Sequence, residues 1–193
     1  MSDQETHPSI FALLLFGYSL AVLGVELLVT TQAVGALMFA ILIAGIGESI
    51  GGIWELSKGE TLIGTTMATF GIWLIGLFLL ETLGQVLDLL SPISLGTYFL
   101  VLLIPIAILA VPPFKNRMAI PIRGAFAALF LLVLFAGAEF ILETGILGPI
   151  AGVFAWVAAL FIWILAIEDV LEIGHTPVKS AEPVIEPEDS DPT

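Results

Sequence analysis

Six uninterrupted apolar blocks, each of roughly 20 residues, constrain this chain more than any other feature, because a helix of that length crosses the hydrocarbon layer of a bilayer. They run Ser9 to Thr30, Ala33 to Glu55, Thr61 to Leu80, Ile93 to Val111, Gly124 to Leu142 and Gly148 to Ile167, each bounded by proline, glycine or charge. The reading is an all-α, polytopic membrane protein with six transmembrane helices per protomer. Composition agrees: 59% of the 193 residues are apolar and 12% are charged, against about 25% charged in a soluble domain.

The rest of the chain divides around these blocks. Residues 1–8 form a short N-terminal segment, 9–171 the six-helix domain, and 172–193 a tail. The tail combines Pro177, Pro183, Pro187 and Pro192 with Glu182, Glu186, Glu188, Asp189 and Asp191. Proline blocks helix and the acids repel one another, which predicts disorder. The first block is not a cleaved signal peptide on this reading, since Met1 to His7 holds Asp3 and Glu5 but no Lys or Arg.

Charge sets the orientation. With the N-terminus in the cytoplasm, Lys58, Lys115, Arg117, Arg123 and Lys179 all fall on the inner side, as the positive-inside bias requires. Both termini are therefore expected in the cytoplasm, with the protein spanning the plasma membrane. On the outer side Leu83, Val86, Leu87 and Leu90 share one helical face, which predicts a short interfacial helix between Glu81 and Pro92. The formal charge of −13 repels nucleic acid and excludes it as a partner.

Catalytic patterns are missing. There is no cysteine, no His-Glu-x-x-His, no glycine-rich phosphate loop, and the two histidines, His7 and His175, lie outside the blocks. Ser19 and Ser49 have no evident base to activate them. No enzyme, metal site or cofactor is expected.

Polar groups inside the blocks are the functional candidates, because an ionisable side chain in hydrocarbon costs a few kcal/mol or more. Glu26, Glu81, Glu139 and Glu143 near outer ends, and Glu55, Glu168 and Asp169 near inner ends, read as wetted end caps. Glu48 differs: it lies about 15 residues into the second block, roughly 20 Å along the helix. It either bonds two helices together or carries protons along a pathway. Gly47, Gly51 and Gly52 beside it, and Gly71 further on, offer surfaces for close helix packing. Thr61, Thr65 and Thr69 recur at every fourth residue, so one wall of the third helix is hydroxylated. Those hydroxyls either bond back to their own helix or donate to a small polar solute.

The turn between the second and third blocks reads G-I-W-E-L-S-K-G-E-T-L-I-G-T-T-M-A-T-F-G, Gly52 to Gly71. It resembles the signature of the acetate uptake transporter family, in which Gly-x-x-Glu is followed by a basic residue, Gly-Asn-Thr, then Thr and Ser-Tyr-Gly. Gly52, Glu55, Lys58, Gly59, Thr61, Thr65 and Gly71 match. His7-Pro8-Ser9-Ile10-Phe11-Ala12-Leu13 is similar to a degraded Asn-Pro-Ala-Pro-Leu-Gly-Leu, and the end of the chain around Ala166 to Thr176 resembles the family's closing motif.

The resemblance implies a homo-oligomer, in this family a hexamer, with a conduction path for acetate, other small monocarboxylates or succinate in each protomer. It places the family's apolar constriction at Phe16, Phe70 and Leu131, while Pro8, Ser9, Glu48, Thr61, Thr65 and Thr69 are the candidate pathway residues. Pro8 favours an irregular helix start whose free N–H groups face an anion. Phe70 stands where the family has tyrosine, so the constriction lacks a hydroxyl and opposes a naked anion. The alternatives are a noncatalytic six-helix scaffold or stress protein, and a pore for another small solute.

Overall fold

The computed structural model describes residues 8–175, with side chains from 9 to 171. The segment before Pro8, the side chain of Pro8 and the acidic tail lie outside the described residues. The elements are α1 (Pro8–Leu28), a 3₁₀ turn (Thr31–Ala33), α2 (Val34–Ser57), α3 (Thr61–Val86), α4 (Pro92–Lys115), α5 (Ile120–Leu142) and α6 (Leu147–His175). All six helices are long and apolar enough to cross a membrane. Lys58, Lys115, Arg117 and Arg123 sit where α1, α3 and α5 begin, here called the basic end.

Local chemistry fixes the helix ends. Ser91 and Ser94 form a capping box on α4, with bonds of 3.1 and 2.7 Å. Glu139, near the end of α5, accepts from the backbone of Gly145 (2.6 Å), Leu147 (2.9 Å) and Gly148 (3.2 Å) and from the Thr144 hydroxyl (2.8 Å). It thus serves as an N-terminal cap for α6, supplied by the preceding helix.

The predicted interfacial helix does not form. Helix α3 continues past Leu80 to Val86 and takes in Leu83, while Leu87 and Leu90 fall in the turn that follows. Nothing between Leu80 and Val86 breaks a helix: Gly84 costs only about 1 kcal/mol, and Thr82 bonds back to the Phe78 carbonyl at 2.7 Å. The chain turns only where Asp88 adopts φ 57°.

The six helices form a ring in the order α3, α2, α1, α6, α5, α4. Each neighbouring pair packs along its length except α3 and α4, which barely touch. Glycine lets α2 and α3 approach backbone to backbone: a Cβ on Gly52 would strike the Ala68 amide, and one on Gly71 the Ser49 amide. Gly47 faces Leu15 and Phe11 of α1, and Gly51 is buried. On α6 the small residues Ala151, Ala155, Ala158, Ala159 and Ala166 are fully buried, and the Trp163 and Trp156 rings lie over Gly17 and Gly24 of α1.

Candidate functional site

The ring encloses a cavity of about 250 Å³. Its wall comes from α1 (Phe16, Ser19, Leu20, Leu23, Glu26, Leu27), α2 (Val34, Leu37, Met38, Ile41), α3 (Phe70, Trp73, Leu74, Leu77, Glu81), α4 (Phe99, Leu102) and α5 (Leu129, Leu132, Val133, Phe140). On each of α1, α2 and α3 these residues recur three or four apart, one inward stripe per helix. The cavity reaches from Phe16, Ile41 and Phe70 towards the end opposite the basic one, where Glu26, Glu81 and Val34 stand.

Phe16 and Phe70 are the floor. Their rings stack with centroids 5.6 Å apart, and their residues are 6% and 3% exposed. Rings in that contact leave no passage between them for a hydrated ion, so a solute crosses here only if the pair separates or the solute sheds its water.

Leu131 does not join them. It is half-buried and absent from the cavity wall, whereas Leu129, Leu132 and Val133 line it. One residue turns an α-helix by about 100°, so Leu131 lies on a different face from its neighbour Leu132, which is 2% exposed and lines the cavity. The threonine stripe also points elsewhere. Thr69 lines a groove between α3 and α4 on the outside of the ring, Thr61 is exposed and bonds the Gly59 carbonyl at 3.3 Å, and Thr65 is half-buried and not part of the cavity wall.

Glu48 is 1% exposed, and its Oε1 has no hydrogen-bond partner. Its chain neighbours place it: Gly47 meets Leu15, and Ser49 meets Gly71. Leu15 and Gly71 are in turn the chain neighbours of Phe16 and Phe70, so Glu48 stands at the depth of the aromatic pair. It shares the inward stripe of α2 with Leu37, Ile41 and Ala44, at spacings of three and four.

The start of α1 is already occupied. The Ser9 amide donates to Oε1 of Glu55 at 3.1 Å and its hydroxyl to Asp169 at 3.3 Å, so the N–H expected to face an anion faces the protein's own carboxylate. Glu55 also pairs with Lys58 at 3.7 Å.

Among the described residues, the polar groups in the cavity wall are Ser19, Glu26, Trp73 and Glu81, and none of them is cationic. Ser19 gives its hydroxyl to the Phe16 carbonyl at 2.8 Å. Trp73 gives its ring N–H to the Tyr98 carbonyl at 3.3 Å. One carboxylate oxygen of Glu26 is buried without a partner. Such a wall offers a dissolved anion little: apolar surface, two acidic groups at the far end, and donors already engaged.

No family model matches the sequence, and no curated protein does. A solved structure does match: that of the bacterial acetate channel SatP, with a TM-score of 0.81 and 19% identity, covering 89% of this chain and 96% of that one. The resemblance read from the Gly52 to Gly71 motif is therefore matched in three dimensions, and the chain shares the six-helix fold of that channel.

Proposed function

We propose that this protein is a permease or channel for small monocarboxylates, acetate among them, and that the acid crosses the ring through the Phe16–Phe70 floor in its uncharged form. The observation that carries the reading is the aromatic pair closing an apolar cavity held inside the ring. The fold shared with an acetate channel supports the substrate class.

The absence of any cation among the described residues of the wall favours the uncharged species. A carboxylate loses its hydration on entering such a space and gains nothing in exchange. A free carboxylic acid has an ordinary pKa near 4 to 5 and is scarce at neutral pH, so a proton must be supplied on the way. Glu48, buried at the depth of the floor, is the group placed to exchange one with the passing acid, which makes transport proton-linked. Both termini belong in the cytoplasm of a plasma-membrane protein, by the position of the basic residues, and the protomers assemble as hexamers by family resemblance.

Uptake of labelled acetate into proteoliposomes, with and without an imposed proton gradient, tests this. Flux above that of empty vesicles, rising with an inward proton gradient, is expected. Vesicles carrying the protein that take up no acetate, propionate, lactate or succinate would leave the six helices as a scaffold.

A further inference from the structure

The ring has one loose seam. Where α3 meets α4, an exterior groove of about 890 Å³ opens between the helices. Ile72 and Val101 on its flanks are 65% and 58% exposed, so it opens on the outer surface of the protomer. Trp73 and Leu102 belong both to this groove and to the wall of the central cavity. At those two residues the partition between that surface and the cavity is one side chain thick.

A clasp between Trp73 and Tyr98 holds the seam, beside an edge-on contact of the Trp73 ring with Phe99 at 5.1 Å. The Tyr98 hydroxyl donates to the Trp73 carbonyl at 2.7 Å, the Trp73 ring N–H donates to the Tyr98 carbonyl at 3.3 Å, and the two rings stack 5.2 Å apart. Gly76 makes the clasp possible, because a Cβ there would collide with the Tyr98 hydroxyl. The helix behind it is weakened further along the groove, about two turns from Tyr98. Pro105 has no N–H to give the Val101 carbonyl four residues earlier, so α4 lacks one of its own bonds where it lines the groove.

We infer that the α3–α4 seam is a lateral portal, latched by Trp73 and Tyr98, through which uncharged carboxylic acid passes between the bilayer and the central cavity. The inference rests on the transport reading for the identity of the solute. An undissociated acid with an alkyl chain partitions into lipid and reaches the groove directly, whereas the carboxylate does not. The cavity wall suits the same species, so the two compartments select alike and the acid need not enter past Glu26 and Glu81.

The chain has no cysteine, so one introduced thiol reports alone. Leu74→Cys places it on the cavity wall away from the groove, and Ile72→Cys places it in the groove. Each variant is reconstituted with a phospholipid bearing a maleimide midway along an acyl chain, a reagent that cannot enter from water. Ile72→Cys should label first and Leu74→Cys more slowly. Adding Tyr98→Phe, which deletes one latch bond and keeps the ring, should speed Leu74→Cys by about fivefold. Leu77→Cys, one turn along the same wall, takes its place if the first variant does not fold. A cavity thiol that stays unlabelled after Ile72→Cys has reacted completely, or a rate indifferent to Tyr98→Phe, overturns the portal.

Labelling needs no flux, so an opening seam in vesicles that take up no acid defeats the transport reading alone. For the route, Tyr98→Phe should raise butyrate uptake more than acetate uptake, since butyric acid is the more lipid-soluble. An unchanged ratio of the two overturns passage through the seam.

Discussion

The backbone N–H of Ser9 and the carboxylate of Glu55 meet at 3.1 Å across 46 residues of sequence. That bond, with Asp169 on the serine hydroxyl, ties the first turn of α1 to both α2 and α6. Glu55→Ala leaves a buried amide without its acceptor and should cost about 1–3 kcal/mol. Glu55→Gln keeps a carbonyl oxygen in place and should cost less. Thermal unfolding in detergent separates the two; equal loss in both variants would mean that charge, not the bond to Ser9, is what matters.

Glu139 holds the turn before α6 through one side chain and several donors. Glu139→Ala should therefore raise hydrogen exchange at Gly145, Leu147 and Gly148 while leaving the middle of α6 protected. Glu139→Gln, retaining one acceptor oxygen, should fall between the two. Mass-spectrometric exchange in detergent reads this directly.

Gly52 and Gly35 lie on the same helix with opposite surroundings. A Cβ on Gly52 meets the Ala68 backbone, which has nowhere to go, whereas nothing lies within 4 Å of a Cβ on Gly35. Gly52→Ala should lose about 1–3 kcal/mol through overpacking. Gly35→Ala should be neutral or gain up to about 1 kcal/mol, because it reduces the freedom of the unfolded chain. Similar melting temperatures for the two variants would contradict the close α2–α3 contact.

Glu48→Gln keeps the shape of the side chain and removes its titration. In proteoliposomes the variant should retain acetate flux at low external pH, where uncharged acid is already abundant, and lose the response to an imposed proton gradient. Flux that follows the gradient as steeply as the parent's removes Glu48 from the proton route.

Phe70→Ala opens the floor and Phe70→Tyr gives it a hydroxyl. The first should raise acetate flux severalfold and admit succinate, at a stability cost of about 3–5 kcal/mol for an emptied aromatic site. The second should favour the anion, lessening the dependence of flux on external pH. Flux per folded protomer, measured with both solutes, distinguishes these effects.

The six helices were legible because lipid demands long apolar segments, and length alone reports them. Which face of a helix looks inward was not. Lipid tails are as apolar as leucine, so a membrane helix is greasy all round, and hydropathy cannot tell Leu131 from Leu132. The threonine stripe was misplaced for the same reason: its spacing shows that Thr61, Thr65 and Thr69 share a face, but not that Thr69 faces α4. Phe16 and Phe70 came from a motif, and they do meet. Trp73, Leu74 and Leu77 line the wall with Phe70 and were missed, although Phe70, Leu74, Leu77 and Glu81 recur at helical spacing.

The order of the ring has a consequence for how the chain is assembled. The first and last helices are neighbours, and the weak join falls between the third and fourth, near the midpoint of the sequence. The polypeptide is thus two three-helix pieces riveted together where its ends meet. Cutting the connection between Val86 and Pro92 severs little more than a tether, so the halves, synthesised as separate chains, should find each other through α1 and α6.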